Sequence, residues 1–64
     1  MSDSYSVILE KADKSLAAAL ARDRDFPRGP ASRVLVLNHM RNSGAFSPEQ
    51  VEQVGNLLTN AGIQ

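Results

Sequence analysis

Apolar residues recur at helical spacing in two stretches of this chain and crowd together in a third. In the first stretch, about residues 5–22, the chain can be wound at 100° per residue. Tyr5, Ile8, Leu9, Ala12, Leu16, Ala19 and Leu20 then fall within an arc of about 120°. Glu10, Lys11, Asp13 and Lys14 lie outside it, and Glu10 and Lys14 stand four residues apart in the order that supports a helix. Asp23 would land on the apolar stripe, so this helix is expected to stop near it. The last stretch, about residues 48–61, carries its own start and stop signals. Ser47 suits the N-cap, Pro48 the first helical position, and Gln50 completes a capping box with Ser47. Phe46 and Val51 are placed for a hydrophobic staple, and Gly62 for a C-terminal cap. Val51, Val54, Leu57, Leu58 and Ala61 share one face, opposite Glu49, Glu52, Gln53, Asn56 and Asn60.

The middle stretch does not obey this rule. Val34-Leu35-Val36-Leu37 is a run of four apolar residues that spreads round a helical wheel, so one core cannot cover it. A strand is the rival reading, but the chain offers no second strand to pair with it, so a strand here would need a partner molecule. A helix from about 31 to 43, ended by Gly44, is preferred. It would leave part of its apolar surface for something outside the domain. Phe26-Pro27-Arg28-Gly29-Pro30 breaks any helix and is expected to form a hinge at about 24–30. Asn42-Ser43-Gly44 is the second break. The expected architecture is therefore a single all-α domain over residues 1–64, with three helices. The last two would form an antiparallel hairpin.

Composition narrows the functional classes. At 64 residues without cysteine, the chain has no disulfide framework and no thiolate metal site. With a single histidine it builds no multi-histidine centre, so neither metal nor cofactor is expected. A core this small usually needs very regular helices or a partner. No run approaches the length of a membrane span, and Met1-Ser2-Asp3-Ser4 lacks the basic and apolar regions of a secretory signal, so the expected location is the cytoplasm.

The balanced charge conceals a local asymmetry. Residues 22–41 carry Arg22, Arg24, Arg28, Arg33 and Arg41 against Asp23 and Asp25, whereas residues 42–64 carry only Glu49 and Glu52. Arginine's planar fork suits phosphate, which makes a nucleic-acid-binding regulator the alternative reading, with contacts from Arg22, Arg24 and Arg28. The plainer account is that these arginines alternate with aspartates along a solvated loop. A helix-turn-helix reading fails on charge: the last helix would offer Pro48, Glu49, Gln50 and Glu52 to DNA, and it has no lysine or arginine.

Catalytic signals are thin. His39 has the chemistry of a base or pH switch, but beside an apolar run it reads as a boundary residue. Glu49 and Glu52 read as a solvated face that complements the helix dipole. Gly55, beside the apolar arc of the last helix, favours a close helix–helix approach over simple tolerance. The reading that results is a non-enzymatic protein–protein interaction module, a regulator, inhibitor or assembly factor. It would bind a second copy of itself as a homodimer, or another protein, through Val34 and Leu35, with Arg33 and Arg41 at the rim.

Overall fold

The structure, a computed structural model, describes residues 3–64. Those residues contain four helices and no strand: α1 (Ser4–Lys11), α2 (Lys14–Arg22), α3 (Arg33–Ser43) and α4 (Pro48–Asn60). The all-α expectation holds and the three-helix count does not. The single helix expected over 5–22 is interrupted at Ala12 and Asp13, whose backbones are extended. Asp13 is the cause. Its carboxylate accepts the Leu16 backbone N–H at 2.8 Å, so it caps a new helix instead of sitting on the outer face of a continuing one. Its other oxygen accepts from Gln53 Nε2 on α4 at 3.4 Å, and Gln50 of α4 reaches Ser15. The break is therefore fastened across to the last helix. It also separates Glu10 from Lys14, which form no ion pair.

The same break changes which residues are buried. Ile8, Leu16 and Leu20 are fully enclosed and Tyr5 and Ala12 pack against them, but Leu9 emerges at the surface with 37% exposure. A continuous wheel would have buried it.

Helix α3 resolves the ambiguity of the middle stretch in favour of a helix. It starts later than the expected 31, because Ser32 caps it by accepting the Leu35 N–H at 3.1 Å. It ends at Gly44 in the left-handed conformation, φ 68°. Helix α4 matches its signals most closely. Ser47 and Gln50 form the reciprocal capping box, with bonds of 3.1 and 3.0 Å. At the other end, Ile63 N–H bonds Leu58 O and Gly62 N–H bonds Thr59 O, a Schellman closure with Gly62 at φ 76°. Ile63 then packs back against the core.

Both α1 and α3 pack on α4. The register of α3 against α4 is antiparallel: Arg33, at the start of α3, bonds Thr59 near the end of α4, and Leu37 faces Gly55. One apolar cluster joins Ile8, Leu16, Leu20, Phe26, Val36, Met40, Val54 and Leu58. Phe26, in the α2–α3 connection, belongs to it at 2% exposure. Its ring lies 5.4 Å from that of His39, nearly perpendicular, and within 6 Å of Tyr5 and Phe46. Phe26 thus anchors the α2–α3 connection to the core. The connection is also tied through Ala31, whose N–H and C=O are both bonded by the buried Ser4 hydroxyl.

Candidate functional site

The outer surface of α3 follows from its buried one. Val36 and Met40 are fully enclosed, and at 100° per residue the direction opposite their midpoint is that of Asn38. Val34 and Leu35 lie on either side of that direction, about 100° apart, with Asn38 and Asn42 between them; Arg41 is beside Val34 on the side away from Leu35, and Arg33 is turned toward α4. Arg33, Val34, Leu35, Asn38, Arg41 and Asn42 are all exposed. Val34 is 62% exposed and Leu35 54%. Of the four-residue apolar run, Val36 is in the core and Leu37 is half-buried against α4, while the other two face solvent. The spread of the run round the helix is what the sequence implied.

Arg33 and Arg41 stand two turns apart on α3 and line a groove of about 360 Å³ between α3 and α4. Leu37 forms its floor on one side and Glu52, Asn56 and Thr59 line the other. Arg33 donates to Thr59 Oγ1 at 3.3 Å. Among the described residues Arg41 has no hydrogen-bond partner, and neither arginine forms an ion pair with Glu52. Gly55 also borders this groove. A β-carbon built there would meet the Leu37 methyl carbons at 3.8 and 3.9 Å, ordinary van der Waals contact, so the expected close approach is not what glycine provides.

The other three arginines are elsewhere. Arg28 is committed to structure: its guanidinium lies 4.5 Å over the Tyr5 ring, donates to Tyr5 Oη at 2.6 Å, and donates to the Asp23 carbonyl at 3.1 Å. Arg22 and Arg24 line an open depression of about 470 Å³ together with Asp23, Asp25 and Ser43. Arg22 bends back to the Ala18 carbonyl. Arg22 and Arg24 thus line one depression and Arg33 and Arg41 another, while Arg28 lines neither.

The arrangement that sequence reasoning missed is a pair. His39 Nε2 lies 2.8 Å from Asp23 Oδ2, joining the C-terminal end of α2 to the middle of α3. An ionised carboxylate only accepts, so Nε2 carries the proton. This hydrogen bond, with lesser help from the Asp25 and Phe26 N–H groups and the His39 charge, holds the Asp23 carboxyl below its usual range against the opposing effect of burial. Among the described residues no three His, Asp or Glu side chains converge as metal ligands would. No helix there is long and apolar enough to cross a membrane. Compared with protein-family models, curated proteins and solved structures, the chain has no significant match.

Proposed function

We propose that this chain is a small non-enzymatic interaction module that binds another polypeptide through the outer face of α3. The observation that carries the reading is the exposure of Val34 and Leu35, at 62% and 54%, consecutive residues about 100° apart on the outer half of a helix whose inner face holds the buried Val36 and Met40. Isolated exposed apolar residues are common, but two within one turn, with Asn38 and Asn42 between them and Arg41 beside Val34, give this outer half of α3 the mixed apolar and polar make-up of an interface. A regulator, inhibitor or assembly factor works through a surface of this kind, and a second copy of the chain is one occupant it would accept.

The test combines sedimentation of the purified protein with selection of binders from a displayed library of helical peptides. The expected result is self-association or enriched peptides, in either case abolished by Leu35→Glu while the circular dichroism of the helices is retained. A monomer that selects no peptide, or binding unaffected by Leu35→Glu, refutes the reading.

A second reading, nucleic-acid binding, draws on the absence of any carboxylate from α3 and on Asn38, Arg41 and Asn42 sharing its outer surface. Binding to a duplex oligonucleotide that weakens steeply with rising salt would favour it over an apolar interface.

A further inference from the structure

Independently of the interaction reading, we propose that the α2–α3 connection, residues 23–31, is an acid-released strap. The Asp23 carboxylate fastens it, and neutralising that carboxylate opens it at Phe26 while α1 and α3 stay packed on α4. Asp23 is where the bonds of the strap meet. Its backbone N–H closes α2 on the Ala19 and Leu20 carbonyls. Its own carbonyl accepts from Arg28, which also grips Tyr5 of α1. One carboxylate oxygen accepts the Asp25 N–H at 3.0 Å and shapes the first turn of the strap. The other accepts from His39 Nε2 of α3 at 2.8 Å. A single charged group thus holds the end of α2, the start of the strap and the middle of α3 in one arrangement. Further along, Phe26 plugs the core against Tyr5, His39 and Phe46, and Ala31 is bonded to the buried Ser4 hydroxyl.

The charges around Asp23 make this fastening depend on pH. Arg22 and Arg24 line the depression beside it together with Asp25, Arg28 lies on its carbonyl, and His39 faces it from α3. The α4 carboxylates, Glu49 and Glu52, line other depressions. With Asp23 ionised, two carboxylates offset the three arginines. Once Asp23 takes up a proton, Asp25 alone faces Arg22, Arg24 and Arg28, and an imidazole is cationic in that acid range. The His39 side chain, 22% exposed and edge to face with Phe26, is then a mostly enclosed cation without its counter-charge. Both bonds to the carboxylate lose their ionic strengthening together. The packing of α1 and α3 on α4 rests instead on Ile8, Val36, Met40, Val54 and Leu58, which acid leaves unchanged. Opening therefore begins at the strap, where a lifted Phe26 uncovers the rings of Tyr5 and Phe46.

The experiment is amide hydrogen exchange of the whole chain, followed by NMR from about pH 6 down to about pH 3 and corrected for the intrinsic pH dependence of exchange. The Asp25 and Ala31 N–H groups report the two ends of the strap, and the Leu58 N–H inside α4 is the reference. Protection at both reporters is expected to fall about tenfold or more relative to Leu58 as Asp23 is neutralised. Asp23→Asn should show the lowered protection already at the upper pH, with little further change on acidification. His39→Phe, which keeps a ring beside Phe26 but has no donor, should lower Ala31 protection at the upper pH in the same way. Loss at Asp25 with Ala31 unchanged overturns the inference, because only the turn has then frayed. A parallel fall at Leu58 overturns it as global unfolding, and wild-type protection in either variant overturns the role of the Asp23–His39 pair. Should Asp23→Asn fail to fold, the comparison of Ala31 with Leu58 in the wild type decides.

Discussion

Replacing Gly55 with alanine should make the protein more stable. The residue lies within α4, well inside Pro48–Asn60, and its φ is not positive, so alanine adopts its backbone conformation without strain. Glycine in a helix interior is about 1 kcal/mol less favourable than alanine, mostly because the unfolded chain has more freedom to lose. The new methyl would touch Leu37 at 3.8 and 3.9 Å and displace nothing. Complete burial of such a group is worth about 0.8 kcal/mol, and this one would be partly covered, which brings the expected gain to about 1–1.5 kcal/mol. Urea unfolding followed by circular dichroism should then show a midpoint raised by about 1 M with an unchanged slope, taking a slope near 1 kcal/mol/M for so small a protein. Gly44→Ala is the matched control. It makes the same change in the unfolded chain, but at φ 68°, where a β-carbon is strained even though the space around it is open. That variant should lose about 1 kcal/mol. Two identical substitutions with opposite signs isolate backbone conformation as the cause. An unchanged or lowered midpoint for Gly55→Ala would refute the reasoning, since it would mean that α3 and α4 lie closer at Leu37 than the structure has them.

Other outcomes follow from single contacts. Ser4→Ala removes both bonds to the Ala31 backbone from a site with 2% exposure and should cost about 1–3 kcal/mol in urea unfolding. Met40→Ala should lose about 2–5 kcal/mol, whereas Leu35→Ala, from an exposed position on the same helix, should stay within about 0.5 kcal/mol of the wild type. Because the Asp23 carboxyl is held below its ordinary value of 3.8, its share of stability is present above that pH and is lost as pH falls through the lowered value. An acid titration of stability should show that loss below about pH 4, and Asp23→Asn should remove it from the curve.

The parts of the fold that could be read from the chain are those whose signals are local. Ser47, Pro48, Gln50 and Gly62 each act on a neighbour within a few residues, and α4 follows them closely at both ends. The α1–α2 break is local as well, but it was masked. Asp13 has two uses in a helical pattern, as an outer-face acid or as a cap, and periodicity alone does not choose between them. With neither glycine nor proline at Ala12-Asp13, the apolar spacing runs straight through, and Leu9 is assigned to a core it does not reach. For the candidate site, Val34 and Leu35 were legible because four consecutive apolar residues exceed the width of any one buried face. The separation of the arginines was not. Arg28 is claimed by a ring 23 residues away, and His39 by a carboxylate 16 residues away. Only the path of the α2–α3 connection decides such pairings.

That path also bears on why the exposed pair is significant. The connection brings Phe26 into the core, where it meets Tyr5, His39 and Phe46 and joins the residues that α3 buries there. With Phe26 in place, α3 needs only Val36 and Met40 fully buried and Leu37 half-buried to close the domain. Val34 and Leu35 are therefore surplus to packing. Nor does helix formation favour Val34, since a β-branched residue is a weaker helix former than the lysine, glutamine or alanine an exposed position accepts. Two residues that contribute little to either term can be changed without unfolding the protein. On the proposed interaction reading, stability and binding are accordingly separable on α3: Met40→Ala tests the fold, and Leu35→Glu tests the proposed contact.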